Sequence, residues 1–253
     1  MKITFLGTGT SQGVPVIGCD CAVCLSSDPR DSRLRCSALF EESGFRLLID
    51  TGPDFRYQML RAKVPSIDAI LMTHFHNDHI AGLDDIRPFN FTQGQSIKVF
   101  ADELTHAALE KKYDYVFEKK PYPGAPKVDL FLHEFKTRQL GPFTVTPFKV
   151  FHGRLPITAY RINDVLYITD AKTIPPQAYD LFEGVKLLIL NALRHEEHHS
   201  HFNLQQAVEF AKEIEVDRAY FLHISHYMGL HREVQEDLPS NIFLSYDTLE
   251  VDV

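Results

Sequence analysis

Ala69-Ile70-Leu71-Met72-Thr73-His74-Phe75-His76-Asn77-Asp78-His79-Ile80-Ala81-Gly82-Leu83 is the stretch on which the reading of the chain turns. An apolar, β-compatible run from Ile67 to Met72 ends abruptly in His74, His76, Asp78 and His79, and Ile80 to Leu83 then reads as the start of a helix. Imidazole and carboxylate suit borderline divalent metals such as Zn²⁺, Mn²⁺ and Fe²⁺. Alternate residues of a strand share a face, so a strand exit aims His74 and His76 to one side. Asp78 and His79 come off the following turn in another direction. One stretch can thus serve two neighbouring metals, as a hydrolytic two-metal centre requires. The bland alternative is a solvated, histidine-rich loop, and the spacing at a strand end outweighs it.

Three further strand ends carry ligand-type residues. Phe143 to Phe151 alternates as a strand should and delivers His152. Ile157 to Ile162 and Val165 to Thr169 read as a hairpin around Asn163-Asp164, and the second strand delivers Asp170. A carboxylate can bridge two cations with its two oxygens, which imidazole does poorly. Ala219 to Leu222 delivers His223, with His226 three residues on and free to face elsewhere. Such placement is what an α/β layered protein builds. Lys186 to Leu190 is another strand, followed by His195, His198, His199 and His201. His201 stands just before a helix whose Leu204, Ala207, Val208, Ala211 and Ile214 share one face. A histidine at that N-terminus could hydrogen-bond a phosphate or protonate a leaving oxygen. His195, His198 and His199 read as solvated loop.

Cys19, Cys21 and Cys24 lie close together near the start and suggest metal rather than disulfide. A closed zinc site wants four sulfur or nitrogen ligands, so a fourth must come from elsewhere, with Cys36 and His226 as candidates. Arg35 to Phe40 and Phe45 to Asp50 read as a strand pair turning at Glu42-Ser43-Gly44. Asp50 then orients a metal ligand, caps a helix over Phe55 to Arg61, or does both. Gly7-Thr8-Gly9 follows a first strand, Ile3 to Leu6, and lacks the Gly-Lys-Ser/Thr ending of a phosphate-cradling loop. Asp84 to Phe89 continues or ends a helix, with Arg87 paired to Asp84. Ser96 to Phe100 reads as a strand, Glu103 to Lys112 as a helix, Tyr113 to Pro126 as a packed loop, and Ile242 to Val253 as one closing strand.

The 253 residues are within reach of one domain, 1–253, with a full core. No run of about 18 apolar residues is present, which argues against a membrane span. The start Met1-Lys2-Ile3-Thr4-Phe5-Leu6 reads as a strand rather than an export signal, so the expectation is a cytoplasmic protein. The net charge of −8 opposes field-driven binding to large nucleic acid or anionic lipid. The small basic groups Arg30/Arg33/Arg35, Lys111-Lys112 and Lys119-Lys120 read as solvated faces.

In residue type and order, His74, His76, Asp78, His79, His152, Asp170 and His223 resemble the seven ligand positions of the binuclear metallo-β-lactamase fold hydrolases, over essentially the whole chain. The resemblance implies an αββα four-layer sandwich. It implies that His74, His76 and His152 hold one divalent transition metal (Zn²⁺, Mn²⁺ or Fe²⁺), that Asp78, His79 and His223 hold the other, and that Asp170 bridges them. Asp50 matches the structural aspartate on an early strand. Gly7-Thr8-Gly9, the three cysteines, Arg35-Cys36-Ser37 and His223-Ile224-Ser225-His226 are similar to the phosphodiesterase branch, that of ribonuclease Z and of the phosphoribosyl 1,2-cyclic phosphate phosphodiesterases. That likeness implies a structural zinc on Cys19, Cys21, Cys24 and His226, leaving Cys36 a free thiol, and a leaving-group role for His201. It also implies a homodimer. The expected activity is hydrolysis of a small cyclic or nucleotide-like phosphodiester by water activated between the metals, with Asp78, Asp170 and His201 as the catalytic residues. Rivals are a thioester or lactone hydrolase of the glyoxalase II kind and a tRNA-processing endonuclease. The long basic arm with which ribonuclease Z grips tRNA has no counterpart here.

Overall fold

The computed structural model describes residues 1–253. Fourteen strands form two seven-stranded sheets. The first contains β1 (Lys2–Gly7), β2 (Ser37–Glu42), β3 (Phe45–Ile49), β4 (Ala69–Leu71), β5 (Ile97–Ala101) and β6 (Val128–Leu132). The second contains β7 (Arg138–Leu140), β8 (Phe143–His152), β9 (Leu155–Ile162), β10 (Val165–Ile168), β11 (Leu187–Asn191), β12 (Arg218–Leu222) and β13 (Ile242–Leu244). β14 (Glu250–Asp252) returns to the first sheet, giving the orders β14-β1-β2-β3-β4-β5-β6 and β13-β12-β11-β10-β9-β8-β7. The hairpin at Ser43-Gly44 makes β2 and β3 antiparallel, whereas β3, β4, β5 and β6 run parallel, as do β10 to β13. The helices are α1 (Phe55–Arg61), α2 (Asn77–Ile80), α3 (Arg87–Gln93), α4 (Glu103–Lys112), α5 (Asp114–Phe117), α6 (Leu204–Glu213) and α7 (His231–Asp237). None is long and apolar enough to cross a membrane.

Three buried layers account for the stacking. Phe5, Phe40, Leu47, Tyr160, Tyr167, Leu187 and Leu222 fill the space between the sheets. On the outer side of the first sheet, Leu39, Leu48 and Val99 meet Phe55, Phe89 and Leu109 from the helices. On the outer side of the second, Leu166, Leu188 and Phe221 meet Ala207, Phe210 and Val234. Each sheet is therefore apolar on both faces, which only a helix–sheet–sheet–helix stack can bury. This is the expected αββα sandwich.

Several local expectations change. The helix after the histidine stretch starts at Asn77 rather than Ile80, so Asp78 and His79 lie on its first turn. Asp84 to Phe89 does not finish a helix: a 3₁₀ turn over Leu83–Ile86 leads into α3, and Pro88 sits in the first turn, where its missing N–H costs nothing. Tyr113 to Pro126 contains α5, with Tyr113 and Val116 buried. The last stretch is two strands in different sheets, separated by buried Ser245 and Asp247. Arg33 is not solvated. It is 4% exposed, and its Nη1 donates to Thr8 Oγ1 at 2.9 Å and to the Ser245 carbonyl at 2.6 Å.

Candidate active site

The parallel strands end together at one edge of the sandwich, and the chain leaves them there in an unusual way. Asp50, Asp170 and His223 follow β3, β10 and β12 with φ of 61°, 57° and 58°. Non-glycine residues seldom adopt this left-handed region, and holding them in it costs about 1–3 kcal/mol each unless the surroundings demand it. Here it turns three polar side chains to a common point, where β4 and β8 deliver His74, His76 and His152 and the first turn of α2 delivers Asp78 and His79.

At that point the ligand atoms of Asp78, His79, Asp170 and His223 all lie within 4.8 Å of one another. His79 Nε2 is 3.3 Å from Asp78 Oδ2 and 3.5 Å from Asp170 Oδ1. His223 Nε2 is 3.1 Å from Asp170 Oδ2 and 3.9 Å from Asp78 Oδ2. His74 Nε2 is 3.1 Å from His76 Nδ1 and 3.8 Å from Asp170 Oδ2, and the His76 and His152 ring centres are 5.2 Å apart. Asp170 thus faces both histidine groups: Oδ2 lies near His74 and His223, and Oδ1 near His79. His201, which the sequence places apart from the ligands, joins them: its ring lies 4.6 Å from that of His152 and 4.8 Å from that of His223.

The second nitrogen of each histidine decides what the first can do. Asp50 Oδ2 accepts from His79 Nδ1 at 2.7 Å, and the same carboxylate accepts from Thr73 N and Thr73 Oγ1 at 2.8 and 2.7 Å. With its hydroxyl proton on Asp50, Thr73 Oγ1 can accept from His74 Nδ1 at 3.0 Å. The Ser200 carbonyl accepts from His152 Nδ1 at 2.9 Å. His74, His79 and His152 therefore engage an outer partner through Nδ1 and leave Nε2 for the site, the arrangement that partners of metal-bound histidines impose. Asp50 orients a site histidine and its neighbouring backbone; the alternative, that it caps α1, is not what the structure shows, since Asp54 stands at that position.

Charge is consistent with a cation-binding cluster. Burial disfavours a proton on His223, yet contact with Asp170 and Asp78 outweighs it and raises its pKa to about 9. His79 is likewise buried and lifted well above the usual range by Asp170, Asp78 and Asp50. Burial opposes ionisation of Asp170, and His223 and His79 overcome it, holding the carboxyl well below its ordinary range. Burial and His223 push His201 down to about 2. Nε2 of His79 and both ring nitrogens of His223 are buried without a hydrogen-bond partner, which normally costs about 1–3 kcal/mol each. Orphaned nitrogens converging with ionised carboxylates are the donor set a divalent ion would satisfy.

His226, three residues after His223, lies against the three cysteines. Cys19, Cys21 and Cys24 place Sγ at 3.3, 3.5 and 3.5 Å from His226 Nδ1. A tetrahedral zinc about 2.3 Å from sulfur and about 2.0 Å from nitrogen sets sulfur–nitrogen distances of about 3.5 Å. Cys36 is not part of the group: it is buried elsewhere, its thiol donating to the Gly9 carbonyl. Arg87 forms its expected ion pair with Asp84 at 2.7 Å.

Comparison with known proteins agrees with this architecture. A family model described as the beta-lactamase superfamily domain matches residues 45–224. A Porphyromonas gingivalis protein named octanoyltransferase is 40% identical over 255 residues, covering 99% of this chain and 51% of that protein, so the chain spans about half of its length. The crystal structure of a diphosphatase from the PhnP family superposes with a TM-score of 0.93 at 40% identity, covering 100% of this chain and 97% of the other. Zinc-bound PqqB from Methylobacterium extorquens shares the fold, with a TM-score of 0.80 at 18% identity and full coverage of both chains. The two sheets, their helical flanks and the matched domain together make this chain a member of the metallo-β-lactamase superfamily of hydrolases.

Proposed function

We propose that the chain is a two-metal phosphodiesterase acting on a small phosphodiester. His74, His76 and His152 would hold one cation and Asp78, His79 and His223 the other, with Asp170 between them; Cys19, Cys21, Cys24 and His226 would hold a separate structural zinc. Bound there, two divalent cations lower the pKa of a water from about 16 toward 7 and offset charge on the phosphoryl oxygens. Asp50 keeps His79 in the tautomer that points its lone pair inward. Asp78 lies at the rim of the cluster, beside His79 and His223, where it can accept a hydrogen bond from the attacking water. His201 is neutral in the resting site, and an anionic substrate beside it would raise its proton affinity. It is then placed to give that proton to the departing oxygen. The observation that supports the reading is the convergence of histidine Nε2 atoms from both groups on one carboxylate, that of Asp170.

A closely related reading is hydrolysis of a phosphoanhydride, which the likeness to a diphosphatase favours. Both are tested by a substrate panel on protein loaded with defined metal: bis(p-nitrophenyl) phosphate, a dinucleoside diphosphate, S-lactoylglutathione, a tRNA precursor and an octanoyl thioester. Metal-dependent turnover of the phosphate substrates, with rates on the others lower by about two orders of magnitude, is the expected result. Faster turnover of either thioester would replace the proposal with acyl chemistry, and faster cleavage of the tRNA with endonuclease chemistry.

A further inference from the structure

The two sheets end in four edge strands, β14 and β6 on the first and β13 and β7 on the second. An exposed edge is a row of unpaired N–H and C=O groups, and folded proteins blunt it by keeping it short or charged. β7, β13 and β14 are three residues long, and β7 and β14 carry Arg138, Glu250 and Asp252. β6 is five residues, Val128-Asp129-Leu130-Phe131-Leu132, and pairs only with β5, in parallel. The Lys127 carbonyl accepts from Ile97 N, and His133 N donates to the Ala101 carbonyl, which fixes the phase of the ladder. Residues 127, 129, 131 and 133 therefore bond inward, and Val128, Leu130 and Leu132 turn N–H and C=O outward. Among these outward groups the Leu132 carbonyl takes one long contact, 3.4 Å, from Arg138 Nη2. The side chains give the edge two unlike faces. Val128 and Leu130 pack against the helix-side core, and Leu132 follows them, 46% exposed. Lys127, Asp129 and Phe131 form the other face, where the 41% exposed Phe131 stacks on Phe100 with ring centres 5.3 Å apart. Asp129 already accepts from Ser96 Oγ, and Lys136 is paired with Glu134. Lys98 (in register with Asp129), Lys127 and Arg138 answer no carboxylate; the Arg138 guanidinium lies 4.9 Å over the Phe100 ring, with its Nε buried and without a hydrogen-bond partner.

We propose that β6 is a docking edge for an extended segment of a partner protein, with apolar residues at alternate positions and a carboxylate between them. The apolar positions continue the row of Val128, Leu130 and Leu132, and the carboxylate meets Lys127. A five-residue edge is about 17 Å long. That is too short to join two globular copies, whose stable association buries about 1,200 Å² or more. An extended segment draws its affinity from main-chain hydrogen bonds and its specificity from alternate side chains, and so fits an edge of this size. The free cations select an acidic occupant here, on a chain whose net charge of −8 repels one elsewhere.

The probe is a fluorescein-labelled peptide, Val-Tyr-Val-Thr-Val-Glu, read by anisotropy with the full chain. Laid antiparallel to β6, its valines bond to the outward groups, the second valine stands opposite Leu130, and the glutamate faces Lys127. The expected result is saturable binding that becomes about 10-fold weaker when the glutamate is replaced by lysine. Lys127→Glu should reverse that preference. N-methylation of the second valine should lower affinity about 10-fold, whereas N-methylation of the threonine, whose N–H faces away, should leave it unchanged. Leu130→Pro removes an outward donor and leaves the ladder to β5 intact, as proline on an edge does. Binding should fall by a similar factor in that variant, with turnover unchanged. Equal affinity of the two methylated peptides overturns the proposal, and that comparison needs no variant to fold. Absence of saturation by about 1 mM peptide overturns it as well. So does a wild-type dimer that Leu130→Pro turns into a monomer in sedimentation velocity, since the edge then belongs to a second copy.

Discussion

The histidine–aspartate centre and the cysteine cluster are fed by one turn, Leu222 to His226, which gives His223 to the first and His226 to the second. The centre is built from strand ends; its His74, His79, Asp170 and His223 are at most 2% exposed, and His76 and His152 open it to solvent on one side. The cluster sits in a half-exposed loop, where three sulfurs and one nitrogen lie close together, enough to fill a tetrahedral zinc without a water. Closed sulfur-rich sets hold chain segments in place, while open sets with carboxylates exchange ligands and carry out reactions. The same five-residue turn therefore joins a sulfur-rich ligand set at one end to a carboxylate-containing one at the other.

This contrast can be broken by mutation. Asp170→Ala should give the largest effect, a loss of turnover on the order of 10³-fold or more with loss of metal from the centre, because a bound cation supplies several kcal/mol. Elemental analysis together with steady-state rates checks it, and retained metal at normal rate would remove Asp170 from the ligand set. His201→Ala should keep every metal and lower kcat about 10²–10³-fold on an alkyl diester, with a smaller loss on p-nitrophenyl esters, whose departing oxygen needs no proton. Asp50→Asn should weaken metal affinity about 10–100-fold by disturbing the His79 tautomer. Cys21→Ser should do the reverse of Asp170→Ala: one zinc lost and Tm lowered by about 10 °C, with kcat of the folded fraction within about threefold of wild type. If instead kcat falls as far as in Asp170→Ala, anchorage and chemistry are not separable.

A smaller effect is expected away from both sites. Burial pushes His133 and His231 each down to about 4. Their unfolded value is about 6.5, so between pH 6.5 and 4 the unfolded chain binds more protons than the native one. Stability from these groups is complete above pH 6.5 and falls as the pH drops toward 4, by up to about 3 kcal/mol each. Denaturant midpoints at pH 7.5 and 5 measure the loss, and His133→Gln, which keeps a partner for Thr158, should flatten part of the curve.

Most of the candidate site was legible because its residues lie at strand ends, where an apolar run stops and a metal-type side chain follows. The placement of Asp170 and His223 rests on this short-range signal. What was not legible depends on partners distant in the chain. Arg33 looks like any charged surface residue, and only Ser245, 212 positions away, and His231 make it a buried one. β6 is half-exposed at a sheet edge, so its residues do not show a clean apolar pattern, and β7 is only three residues long. Ile242 to Val253 contains strand-compatible residues throughout, and the switch between sheets at Ser245 to Asp247 is set by hydrogen bonds to Phe221, Thr8 and Leu34.

The central claim is that cations sit where these side chains converge. Elemental analysis of fully active, gel-filtered protein tests it most directly. The account predicts about three divalent transition-metal ions per chain, falling to about two in Cys21→Ser with turnover kept. Full phosphodiester hydrolysis by protein that carries fewer than about one ion per chain would contradict it.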